Sequence, residues 1–185
     1  MNQVPEPTRR YESYSHEAMA AEVADGNDPS TAGQIGEQWS GMAARLRESA
    51  QALGTISAAA GEAFEGPAGQ ALRKTLAKAR SWSGHATELS VSLSDAVARQ
   101  AGIAARARDE MPPPVPYDPV AMIREAAATG GLVALAGLSD AMEQRRAAAE
   151  EARQKAIDVL NARDAALRES VPTRFFDEPP ELGQR

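Results

Sequence analysis

Residues able to do chemistry are few in this chain, and their spacing is poor. His16 and His85 are the only histidines, cysteine is absent and no HExxH-like spacing occurs, so a metal site would have to recruit carboxylates from distant segments. The acidic pairs Asp109-Glu110 and Glu150-Glu151 are adjacent in sequence and on a helix point to different sides. They read as solvated charge, because general acid–base work needs two carboxylates in one pocket with pKa values pushed apart. Ser81, Ser83, Ser90, Ser92 and Ser94 crowd one segment without a paired base, and no GxSxG is present. Gly130-Gly131 matches no phosphate-binding loop. The sequence therefore predicts no catalytic residue, no metal, no cofactor and no enzyme, but an interaction module.

The elements that would position any site follow from composition. The 185 residues are 43% hydrophobic and 25% charged, enough for one domain with a buried core. Aromatics make up only 4% and alanine is the commonest apolar residue, which favours slender helical bundles with closely approaching helices. A net charge of −6 argues against a nucleic-acid surface and fits a neutral or basic protein partner better. Without cysteine the redox compartment stays open. Met1 to Tyr14 carries Pro5, Pro7, Arg9 and Arg10 but no apolar core, so no general secretory signal peptide is expected. The apolar stretch Leu132 to Leu138 is far short of the roughly 20 residues of a membrane span.

Four segments have helical punctuation or periodicity, and none has strand-like alternation. Asp28-Pro29 supplies a capping carboxylate and a first-turn proline, after which Ile35, Trp39, Met42, Leu46, Leu53, Ile56 and Ala60 fall at helical spacing. This predicts a helix from Pro29 to Glu62. Gly66-Pro67 breaks it, and a second helix from Pro67 to Asp109 has its stripe at Leu72, Leu76, Ala79, Trp82, Ala86, Leu89, Leu93, Ala96 and Ile103. Two such helices joined by a short turn make an antiparallel hairpin. Met111-Pro112-Pro113-Pro114-Val115-Pro116 is a stiff connector. Asp118-Pro119 then starts a short helix that ends at about Thr129, before Gly130-Gly131. A last long helix, with Leu135, Leu138, Met142, Ala149, Ala152, Ala156, Val159, Ala166 and Leu167 as its stripe, is stopped by Pro172. The expected organisation is a flexible segment 1–14, a helical domain 15–172 and an extended or disordered tail 173–185.

Three features exceed the needs of a plain bundle. Trp39 and Trp82, the only tryptophans, lie on the two long apolar stripes and read either as core anchors or as anchors for a partner helix. Phe64 precedes the Gly66-Pro67 turn and reads as a hydrophobic lock on it. Leu132 and Val133 follow the Gly130-Gly131 break, either as a buried staple or as an exposed binding tip. Ile35, Ile56, Leu76 and Leu93 also widen the stripes beyond one seam.

These blocks, in this order, resemble the PPE-domain family of actinobacterial type VII (ESX) secretion substrates. Trp39-Ser40-Gly41-Met42-Ala43-Ala44-Arg45-Leu46 is similar to that family's Trp-x-Gly-Leu-Ala-x-x-Leu block. Phe64-Glu65-Gly66-Pro67-Ala68 resembles its Trp-x-Gly-Pro-Ala turn with Phe for Trp, and Met111 to Val115 resembles its proline connector. The likeness spans about Ser15 to Arg168. It implies a composite four-helix bundle with a small helical-hairpin (PE- or WXG-like) partner, in which Trp39, Met42, Leu46, Phe64, Gly66, Pro67 and Trp82 form the partner surface. It further implies a cytosolic chaperone at a tip bearing Leu132 and Val133, and export to the cell surface or beyond in the folded state.

Two departures qualify the likeness. The Pro-Pro-Glu that names the family is missing near the N-terminus, although Pro179-Pro180-Glu181 occurs in the tail. The type VII signal Tyr-x-x-x-Asp/Glu is missing too, since Tyr11, Tyr14 and Tyr117 are followed four residues on by Ser15, Ala18 and Ala121; the signal would have to come from the partner. Rival readings are a cytosolic coiled-coil homodimer and a membrane-active secreted bundle.

Overall fold

In a computed structural model of the chain, residues 10–25, 28–129 and 131–181 are described, with the side chains of 29 and 129–136 outside that description. The fold is all-α, and the described residues contain no strand. A 3-10 turn, Tyr11–Ser13, precedes α1 (His16–Asp25), α2 (Pro29–Ala63), α3 (Gly66–Glu110), α4 (Pro119–Thr129) and α5 (Gly131–Glu169). No helix among the described residues is long and apolar enough to cross a membrane.

Local chemistry places the helix starts where the sequence predicts them. Asp28 caps α2, its Oδ1 accepting from the Ser30 amide at 2.9 Å. Asp118 caps α4, accepting from the Val120 and Ala121 amides at 3.0 Å each. Both carboxylates satisfy first-turn amides that the helix leaves without partners. Hydrogen bonds from Thr31 and from the Thr31 and Ser30 amides hold the Asp28 carboxyl below the ordinary range.

The chain divides into two compact units in place of the one expected domain, one within Met1–Asn27 and Ile103–Glu169, the other within Asp28–Gly102 and Ser170–Arg185. In the first unit, Met19 and Val23 of α1 and Ala107 near the end of α3 pack with Ala156, Ile157, Val159 and Leu160 of α5. Tyr11 belongs to this core and is essentially inaccessible to solvent. The expected flexible segment 1–14 is therefore too long: Tyr11 to Tyr14 are folded, because the Tyr11 ring packs in the core and its hydroxyl is held there by charge.

That hydroxyl donates to Asp164 Oδ2 at 2.6 Å and accepts from Arg163 Nη2 at 2.9 Å. The same guanidinium nitrogen reaches Glu22 Oε1 and Asp164 Oδ1, both at 2.9 Å. Burial works against the Arg163 charge, but the Glu22 and Asp164 carboxylates outweigh it and the guanidinium stays firmly protonated. Burial first, and donation to Asp164 second, push the Tyr11 phenol from 10.0 up to about 12. The fold thus favours the neutral phenol. Its contribution is complete below the unfolded value and is lost as pH rises through the folded one, a window between about pH 10 and 12. Replacing Tyr11 with Phe should remove this alkaline slope and cost about 1–3 kcal/mol at neutral pH, since a buried polar network loses one member. Urea denaturation of both proteins across that range checks both effects.

The proline connector is tied down by side chains. His16 Nε2 donates to the Pro112 carbonyl at 3.0 Å, and Arg145 Nε to the Pro116 carbonyl at 2.9 Å. A proline run has carbonyls to offer but few amides, so donors from neighbouring helices fit it.

Candidate partner-binding face

The second unit is built on the α2–α3 hairpin. Ser94 Oγ donates to the Gly36 carbonyl at 2.9 Å, Arg80 lies against Gly54 and Arg73 against Gly61. These pairings run in opposite directions along the two helices, as an antiparallel hairpin requires. On α2, Ala32, Gly36, Trp39, Ala43, Leu46, Ala50, Leu53, Ser57 and Ala60 are all buried or half-buried. Their spacing alternates between four and three residues throughout, which is a heptad seam. On α3 the buried Ser83, Thr87 and Ser90 and the half-buried Leu76, Ser94 and Val97 continue the same alternation.

The seam explains the serine-rich segment. Small residues let two backbones approach closely, and the Thr87, Ser90 and Ser94 hydroxyls are spent on carbonyls. Thr87 Oγ1 donates to Ser83 O and Ser90 Oγ to Ala86 O, both at 2.8 Å, while Ser94 crosses to α2. They serve as satisfied packing groups in a narrow interface. His16 is engaged with Pro112, and His85 is exposed on α3.

The seam also corrects the sequence stripe on α2. Ile35, Met42 and Ile56 share the helical stripe with the seam residues, yet they remain 40% to 53% exposed. Each sits one residue before a seam position, so about 100° of helical rotation carries it out of the interface. They are spaced by multiples of seven and therefore line one edge of the hairpin. Leu72 and Val91 of α3 are exposed as well.

At the turn, only Phe64 and Glu65 separate the two helices, and Gly66 takes φ +89°, a backbone conformation that favours glycine. Arg73 Nη1 donates to the Phe64 carbonyl at 3.1 Å. Phe64 itself is 56% exposed, and Gly66 and Pro67 are exposed too. Phe64, read from the sequence as a lock on the turn, is left open because it caps α2 where both helices end.

Trp39 and Trp82 are half-buried, and the tail covers them. Phe176 stacks on Trp39 with ring centroids 6.0 Å apart and 22° between planes, and Trp82 Nε1 donates to the Asp177 carbonyl at 3.0 Å. The described tail residues, 173–181, have no regular structure but are seated on the hairpin. An aromatic stack contributes about 0.5–1.5 kcal/mol beyond area, and a neutral hydrogen bond roughly as much.

Of the sequence-predicted partner residues, Trp39, Met42, Leu46 and Trp82 lie along the hairpin, whereas Phe64, Gly66 and Pro67 lie at its turn. Leu132 and Val133 fall in the first turn of α5, with side chains outside the described residues. Sequence reasoning missed Val120 and Ile123, which α4 leaves exposed although it packs on α5; their three-residue spacing marks one face of a short helix. It also missed the Tyr11–Arg163 cluster, whose only sequence trace is His16, Met19 and Val23 at helical spacing. No protein-family model matches the chain, and no curated protein does.

Proposed function

We propose that this chain is a PPE-like helical domain of a type VII secretion substrate, a binding module that pairs with a small helical-hairpin partner and is exported with it. The observation that carries this reading is the exposed line Ile35, Met42 and Ile56 beside a hairpin seam already complete without it. A self-contained hairpin has no structural need for a second apolar edge, and edges of this kind are covered by partners. The same observation weighs against the coiled-coil homodimer, because the heptads of α2 and α3 are used within one chain. A partner laid along this edge would bury on the order of 1,600 Å² for a standard interface. The chaperone belongs at the α4–α5 end in this proposal, where Val120 and Ile123 are exposed. No Tyr-x-x-x-Asp/Glu occurs within the 185 residues, and in this proposal the partner supplies the export signal.

The test is a Met42→Glu, Ile56→Glu double variant expressed in the native host. Both positions are exposed, so stability should change by no more than about 0.5 kcal/mol per site, while the co-purifying helical-hairpin protein and export are both lost. A double variant that retains the same partner, or a wild-type chain that is exported after the partner is deleted, refutes the reading.

A further inference from the structure

The tail is anchored on the proposed partner edge, between Ile35 and Met42. Trp39, on which Phe176 stacks, lies four residues after Ile35 and three before Met42, so the three side chains are neighbours on the surface of α2. We propose that residues 174–177 form a reversible cover on this face, an occupant held in cis that an incoming chain displaces. This rests on the reading of the hairpin edge as the partner surface.

The contacts themselves are of an exchangeable kind. One is a ring on a ring and the other an indole N–H on a main-chain carbonyl; neither requires the tail to take up regular structure. The seating is also incomplete. Phe175 is 84% and Phe176 43% exposed, and a cavity of 360 Å³ is lined by Trp82, His85 and Leu89 of α3 together with Arg174, Phe176 and Asp177 of the tail. With this much ring surface exposed beside an open cleft, the segment is laid over the helices without being built into them. Pro172, Pro179 and Pro180 bracket it and bias it toward extended backbone, which reduces the entropy lost on docking and lets it re-dock after release.

Both tryptophans of the chain take part in these contacts, so tryptophan emission reads the cover directly. In the full chain, Phe176→Ala should move the emission to longer wavelength without loss of helicity. A chain ending at Pro172 should show the same shift and, with Trp39 bared between Ile35 and Met42, should self-associate in sedimentation. A synthetic peptide of residues 173–181 added to the shortened chain should reverse both effects, and a peptide carrying Phe176→Ala should bind about tenfold more weakly. The hairpin protein recovered with the full chain should bind the shortened chain more tightly. Unchanged emission in both altered proteins, failure of the peptide to bind, or equal partner affinity for full and shortened chains overturns the proposal. If the peptide binds and restores the emission while no hairpin protein is recovered with either chain, the cover stands and the partner reading falls.

Discussion

Replacing Arg163 with leucine lowers the stability of the protein by about 3–5 kcal/mol, the range for breaking a buried ion pair from one side. Arg163 and Asp164 are largely buried and Glu22 is only slightly more accessible. Withdrawing the guanidinium takes away a cation that Tyr11, Glu22 and Asp164 share. The loss is a large fraction of the stability typical of a domain. It should appear in urea as a lower midpoint with an unchanged slope. Arg163→Lys keeps the charge but not the planar fork that serves several acceptors, and should fall between wild type and the leucine variant. A paired change, Arg163→Leu with Asp164→Leu, should recover part of the loss, because the cost lies mainly in the carboxylate left behind. If Arg163→Leu shifts the midpoint by less than the equivalent of about 1 kcal/mol, the cluster is a surface feature energetically and does not fasten Tyr11 and α1 to α5.

Gly69→Ala destabilises the hairpin turn, whereas Gly84→Ala on the same helix stabilises the protein. A Cβ at Gly69 would lie 2.3 Å from the Phe64 carbonyl oxygen and 2.9 Å from its carbon. Those are backbone atoms, so no side-chain rotation relieves the clash and the turn must move, at a cost of about 1–3 kcal/mol for overpacking. Movement of Phe64 would also break the Arg73 hydrogen bond to its carbonyl. At Gly84 a Cβ meets nothing within 4 Å, leaving only the helix preference of alanine over glycine, roughly 0.5–1 kcal/mol in favour. Opposite signs in thermal melting support the turn geometry. Two equal stabilisations would show that Phe64 and Gly69 are not in contact. Under the proposed function Gly69→Ala also weakens partner binding through the displaced turn, while Gly84→Ala leaves it intact.

The helix limits were legible because they depend on interactions a few residues apart. Asp28-Pro29 and Asp118-Pro119 supply a cap acceptor and a residue without an amide within one turn, and Gly66 supplies the positive φ between two helices. None of this needs a distant segment, so α2 ends at Ala63 against an expected Glu62, and α4 occupies Pro119–Thr129 as expected. The surplus of apolar positions was legible too, since Ile35 and Ile56 widen the stripe beyond one seam and both stay exposed.

What periodicity could not decide was which line of α2 faces inward, because every third or fourth residue along several adjacent lines is apolar. In the folded hairpin the inner line takes Gly36, Ala43 and Ala50, and the larger Ile35 and Met42 stay outside. Close approach of a second helix rewards small side chains at the seam, a preference that exists only once α3 lies alongside. Tyr11 was likewise assigned to a flexible segment, since its partners Asp164 and Arg163 come more than 150 residues later. The tail gave no periodic signal because its anchors, Trp39 and Trp82, are supplied by other elements. Local backbone chemistry determined where each helix begins and ends; packing between segments far apart in sequence decided which side chains are covered, because burial is a property of the pair and not of either member.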